Sequence, residues 1–301
     1  MPQSVFWVSA ASRNNSLAET FADPRQCYKA CTMKIRVGYE LVFECPQPTS
    51  MLLMLNIHYT RASDILTPDL LKTTPSLPVD MYRDFFGNWC TRILAPAGVT
   101  RITSDALVND TGLPDRVVPE ARQTPVNELP HDSLIFLLGS RYCETDRLSP
   151  IAWELFKDAP TGWGRVKAIC DFVHNHLTFG YGFARSTKTA WEAYHERTGV
   201  CRDFAHLAVA LCRCMNIPAR YCAGYLGDIG VPSSTSPMDF SGWFEAYLDG
   251  TWHTFDARHN IPRIGRIVIG RGRDAADVAI STSFGESNLT TFTVWTDEVS
   301  N

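Results

Sequence analysis

Apolar and polar positions alternate most clearly over Lys34–Phe43, where Ile35, Val37, Tyr39 and Leu41 fall on one side and Lys34, Arg36 and Glu40 on the other, the signature of a strand. Shorter strand-like runs follow at Met51–His58, Thr91–Leu94 and Val99–Thr103, separated by clusters of Pro, Asn, Asp and Gly. Several short strands with turn signals and no helical period predict a small antiparallel β domain. Residues 108–131 hold four prolines and little pattern, as expected of a linker.

The period then changes. Pro150–Lys157 and Trp163–His176 carry helical spacing, the second with Val166, Ile169, Cys170, Phe172 and Val173 in one stripe. A short helix is predicted over Thr189–Arg197, closed by Gly199, and another over Cys201–Met215, stopped at Asn216-Ile217-Pro218. From Arg220 the signal is strand again: Arg220–Leu226, Gly242–Leu248, Thr251–Ala257 and Thr291–Thr296. Helices first and strands afterwards predict an α+β fold, with helices packed on one face of an antiparallel sheet. The expected organisation is a flexible extension over 1–32, a β-rich domain with linker over 33–130, and the core domain over 131–301.

Composition narrows the function classes. The 301 residues carry 28 Lys plus Arg against 32 Asp plus Glu, a net charge of -4 with no basic block, which removes the footprint of a nucleic-acid binder. The longest apolar runs, Met51–Ile57 and Leu134–Leu138, fall short of the roughly 18 residues a membrane span needs. Ten cysteines occur without CxxC pairs or zinc-finger spacing, so no metal or other cofactor is expected. Residues 1–20 lack a basic n-region, and the thiols are expected to be reduced, in the cytoplasm. The expected partner is a peptide or small acyl or amide substrate; the sequence sets no oligomeric state.

One cysteine stands apart. Cys201 falls in the first turn of a helix whose stripe is Phe204, Leu207, Ala208 and Leu211. A thiol there lies near unpaired N–H groups and the positive end of the helix dipole, which favours the nucleophilic thiolate. The alternative is a small buried hydrophobe, the reading that suits Cys212 and Cys214 farther along.

Asp249-Gly250 marks a two-residue hairpin. A tight turn there pairs Glu245 with Thr254, Trp243 with Asp256 and Ser241 with Arg258. Trp243, Glu245, Thr254 and Asp256 then share one face, and Phe244, Ala246, His253 and Phe255 the other, more apolar one. Asp256 and position 241 become diagonal neighbours. A thiol enzyme needs an imidazole to move protons and an acid to orient it. Position 241 is serine; His253 points to the wrong face and His206 lies well round the helix from Cys201. His259, just past the strand, is the candidate substitute base.

These stretches resemble the transglutaminase-like superfamily of papain-type thiol enzymes, in its bacterial branch. The resemblance runs through Thr189-Ala190, Gly199-Val200-Cys201-Arg202-Asp203-Phe204-Ala205-His206-Leu207, Ile217-Pro218-Ala219-Arg220, Trp243-Phe244-Glu245-Ala246-Tyr247 and Trp252-His253-Thr254-Phe255-Asp256. It covers about residues 135–301, and the N-terminal strands resemble the small antiparallel β domain that precedes this core in bacterial members. It implies that Cys201 is the nucleophile and Asp256 the histidine-orienting acid, and that the family's His-Ala-Trp pattern reads Ser241-Gly242-Trp243 here. The implied function is a thiol enzyme acting on an amide, thioester or related acyl group without the usual histidine. The alternatives are an inactive peptide- or acyl-binding protein and a different reaction, cyclisation or isomerisation, in the same cleft.

Five further residues are candidates for substrate or oxyanion contacts: Arg141 at the cleft entrance, Tyr181 in an aromatic loop, Trp191 ten residues before the thiol, Trp243 in the hairpin, and Asp203 beside the thiol. For each, packing or a solvated loop is the competing explanation. Gly270–Asp274 lacks the lysine and serine of a phosphate loop and reads as a basic turn satisfied by Asp274 or Asp277.

Overall fold

The first strand of the chain ends up between two partners that lie far from it in sequence. The computed structural model describes residues 33–233 and 238–299, so the extension expected over 1–32, with Cys27 and Cys31, lies outside the described residues. Seven strands come first: β1 Met33–Cys45, β2 Thr49–Leu53, β3 Ile65–Thr67, β4 Lys72–Thr74, β5 Asp80–Arg83, β6 Trp89–Ala95 and β7 Gly98–Asp110. Helices α1 Thr145–Phe156, α2 Trp163–His176, α3 Ala190–Glu196 and α4 Cys201–Cys214 follow, with the short parallel pair β8 Thr178–Phe179 and β9 Thr198–Gly199 between them. The chain ends in β10 Ala219–Tyr225, β11 Ser241–Leu248, β12 Thr251–Phe255, β13 Ile267–Gly272, β14 Ser281–Phe284 and β15 Asn288–Val299.

The first sheet runs β15-β1-β7-β3, with β4 also on β7, and a second runs β14-β2-β6-β5. Alternation in β1 buries Ile35, Val37, Tyr39, Leu41 and Phe43 in their shared core. The last strand, expected beside the helices, is instead hydrogen-bonded to β1, from Lys34 opposite Val299 to Glu44 opposite Asn288.

The third sheet runs β12-β11-β10-β13. Asp249 and Gly250 take φ of 49° and 80°, the left-handed pair a tight hairpin needs, and set Glu245 opposite Thr254 as expected. Phe244, Ala246, Leu248 and Phe255 turn to the helices, where His253 meets Trp163 edge-on. Helix α4 is buried from Asp203 through Cys214, because both the sheet and helices α1–α3 pack on it. That burial explains why its apolar stripe is wider than a surface helix shows.

The core beneath β1–β7 continues into Tyr221, Ala223 and Tyr225 of β10 and Ile267 and Ile269 of β13. The boundary expected near residue 130 therefore marks a change of architecture inside continuous packing. The proline-rich segment before it is tied down: the N–H of Trp163 donates to Ala121, that of Asp249 to Arg122, and Asp115 receives Arg266. Among the described residues no helix is long and apolar enough to cross a membrane, and no group of three His, Cys, Asp or Glu side chains could hold a metal ion.

Candidate active site

Cys201 reaches its place through the start of α4. Helix α3 ends at Arg197, which itself takes the left-handed φ of 56°, so Gly199 is not the helix stop expected from sequence. Its role is close approach: a Cβ at Gly199 would lie 2.7 Å from that of Asp203. Asp203 is buried and accepts from the Val200 N–H at 2.9 Å, closing the first turn, with Arg202 as its ion partner. It shapes the helix start and does not line the cavity.

The thiol opens into a cavity of about 110 Å³ lined by Tyr181, Ser241, Arg258, His259, Asp239 and Arg263, among others. Burial pushes the Cys201 thiol up; the Gly242 N–H and the Arg258 guanidinium pull it back, while Asp239 and Asp256 add to the rise. The Sγ lies 4.0 Å from the Phe240 carbonyl. Ser241 is buried, and its hydroxyl has no hydrogen-bond partner among the described residues.

The β11–β12 ladder stops at Phe244 opposite Phe255, three pairs short of the expected Ser241 opposite Arg258. Neither Trp243 with Asp256 nor Ser241 with Arg258 is a ladder pair; Ser241 pairs with Gly224 of β10. Past Phe255 the chain turns because the Arg258 and His259 N–H groups both donate to Asp256 Oδ1 at 3.0 Å. This turn folds His259 back, and its Nδ1 lies 2.8 Å from Asp256 Oδ2. His259 itself lines the cavity that holds the thiol.

Asp256 is also held by Arg266 at 2.8 Å, and Arg266 reaches Asp115 at the same distance. Burial works against the Asp256 charge, but Arg266 and His259 overcome it and hold the carboxyl well below the usual carboxylate range. Arg266 lies over Trp243, 5.1 Å from the ring centroid. Trp243 is thus a buried support behind the acid, outside the thiol cavity.

Tyr181 lines the cavity, and burial raises its hydroxyl. Trp191 does not: it packs between His195 and the guanidinium of Arg147. Arg141 is exposed, its guanidinium stacked on Tyr142, away from the cavity. Gly270 and Gly272, read as part of a turn, lie in β13, with Arg273 beyond them paired to Asp277 as one alternative expected.

Sequence reasoning missed Arg266, Asp115, Asp239 and Arg258. Arg266 and Asp115 stand 151 residues apart and meet only in the fold. Asp239 and Arg258 had a signal: Asp239 lies two residues before Ser241, and Arg258 lies between Asp256 and His259.

A buried helix beginning in a cavity-facing cysteine, laid on an antiparallel sheet beside a carboxylate–imidazole pair, defines the class: an α+β protein with the transglutaminase-like core. Residues 151–257 match the family described as the transglutaminase-like superfamily, and the chain belongs to it. A candidate cysteine protease from Cytophaga hutchinsonii, solved at 1.9 Å, is 30% identical, with a TM-score of 0.78 over 90% of this chain and 92% of its own. An uncharacterized protein of Mycobacterium leprae is 27% identical over 236 residues, 73% of this chain and 80% of the relative.

Proposed function

We propose that the protein is a cysteine-dependent enzyme that attacks an amide, thioester or related acyl carbonyl through Cys201, with His259 in place of the imidazole that family members carry at position 241. The observation that carries this reading is the 2.8 Å contact between Asp256 Oδ2 and His259 Nδ1 at the wall of the cavity that holds the thiol. Asp256, kept ionised by Arg266, fixes the ring so that Nε2 is the proton carrier. His259 takes the thiol proton as sulfur attacks, then returns it to the leaving group. The acyl thioester that forms is released to water or an amine. The substrate is a peptide or small acyl compound, and no cofactor takes part. The setting proposed is the cytoplasm, where the thiols stay reduced.

Amides need a proton on the leaving group and thioesters do not, which separates the roles. With matched p-nitroanilide and thioester substrates, Cys201→Ala abolishes turnover of both. His259→Ala lowers amide turnover by roughly 10²-fold or more and thioester turnover by less, and added imidazole restores part of the amide rate. Ser241→Ala has the smaller effect. Amide turnover untouched by His259→Ala would remove His259 from the mechanism.

The upward push on the half-buried Cys201 thiol favours a second reading, a binding protein using the same cavity for a peptide or acyl chain. Iodoacetamide decides between them: labelling of Cys201 no faster than a free thiol supports the binder.

A further inference from the structure

The charges around the sulfur do not cancel. Arg263 has a partner in Asp228, at 3.7 Å. Asp256, Arg266, Asp115 and His259 form their own closed set. Arg258 sits over the Phe179 ring, 3.7 Å from its centroid, and faces the thiol. Asp239, two residues before Ser241, lines the same cavity, half-buried, and forms no ion pair among the described residues. Arg258 acts on both the sulfur and Asp239, so once Cys201 ionises it faces two negative charges, and among the described residues the cavity is one cation short.

An unpaired carboxylate beside a nucleophilic thiol opposes ionisation, and Asp239 is among the groups that push Cys201 up. In the free enzyme it works against the chemistry; paired with a cation it would not. That cation must be present when sulfur attacks, so it belongs to the acyl donor and not to whatever later accepts the acyl group.

We propose that Asp239 is a specificity-determining carboxylate of the Cys201 cavity, and that the acyl donor presents a cationic group, a primary ammonium or guanidinium, to it. The proposal rests on the acyl-transfer reading above. Pairing holds the substrate and removes the charge that restrains the thiol, so a matching substrate raises the reactivity of the sulfur it meets. A neutral analogue binds less well and meets a less ionised thiol.

The test uses the full chain and N-acetyl-lysine, N-acetyl-norleucine and N-acetyl-glutamate thioesters and p-nitroanilides. For lysine over norleucine, kcat/KM favours the cation by about 10- to 100-fold, the range of a partly buried charged hydrogen bond, largely in KM. Asp239→Asn brings the ratio to within about twofold; Asp239→Ser, expected to do the same, guards against a folding defect in either variant. A ratio unchanged in the variants, or no lysine preference in the wild type, overturns the proposal.

A second readout needs no turnover. The other charged or titratable groups near Cys201 (Arg258, His259, Asp256 and Arg263 beyond β12, Tyr221 in β10 and Asp228 after it, Tyr181 before α3, Arg202 and Asp203 on α4) stay in place, so Asp239→Asn should alkylate faster with iodoacetamide near neutrality, with its pH midpoint lowered. Butylammonium should speed alkylation of the wild type and leave Asp239→Asn unchanged. These shifts without turnover of any acyl substrate would sustain Asp239 as a cation site and sink the acyl-transfer reading. An unshifted alkylation profile would sink the Asp239 proposal itself.

Discussion

Among single residues, three buried histidines weaken the fold in mild acid. Burial, with Arg271 beside it, lowers His58 to about 4; its Nδ1 lies 3.0 Å from Arg271 Nη1, so the ring accepts and must be neutral. Burial also lowers His206, whose Nε2 accepts the Ala275 N–H at 3.0 Å, and His253 against Trp163. Each folded value lies below the 6.5 of a free imidazole, so the unfolded chain binds more protons as pH falls. Their stabilisation is complete above about 6.5 and is lost as pH drops through the folded values, toward about 4 for His58. Urea denaturation at pH 7 and pH 5 should show the loss, with a shallower pH slope in His58→Gln; equal slopes would remove His58 from the account. At this scale the sequence was legible where the signal is local. Cys201 was marked by its helix start and Asp256 by the hairpin. The bond from His259 to Asp256 was not, because it depends on a turn made by two backbone N–H groups after the ladder ends.

Individual elements were legible to the degree that their own side chains determine them. The amphipathic stripe placed α2 over Trp163–His176, and the alternation in β1 and the Asp249-Gly250 turn were equally plain. Helix α1 begins at Thr145, five residues before the expected Pro150, and carries that proline inside the helix. Strand β13 was obscured by Gly270 and Gly272, present because Val278 lies where a Cβ would go. The tightest element-level constraint is at α4. Gly199→Ala forces the Asp203 carboxylate away from Val200 and should cost about 1–3 kcal/mol, the range for overpacking a closed site. Chemical denaturation gives the loss, and the alkylation rate of Cys201 should change with it. Asp203→Ala removes the same cap without the clash and should cost about 0.5–2 kcal/mol. A neutral Gly199→Ala would mean that the helix start tolerates another arrangement.

Across the whole molecule, the feature hardest to read from sequence is the pairing of β15 with β1. Nothing local says which strand a distant segment will join. Strand β15 buries Val294 and Thr296, lies against Gly227, and brings Phe292 to 5.9 Å from Phe240, next to Ser241. Removing residues 288–301 leaves β1 as an open apolar edge and should give aggregated protein without a cooperative unfolding transition, in circular dichroism and size-exclusion chromatography. A soluble, cooperatively folded truncation would show the remaining sheet to be self-sufficient. The antiparallel match of Lys34 with Val299 also has a mechanical consequence. The two ends of the described chain leave the same corner, so a force drawing them apart loads the hydrogen bonds between these strands one after another. Under tension the fold would peel from that corner like a zip at low force, well before the helices around the thiol feel the pull.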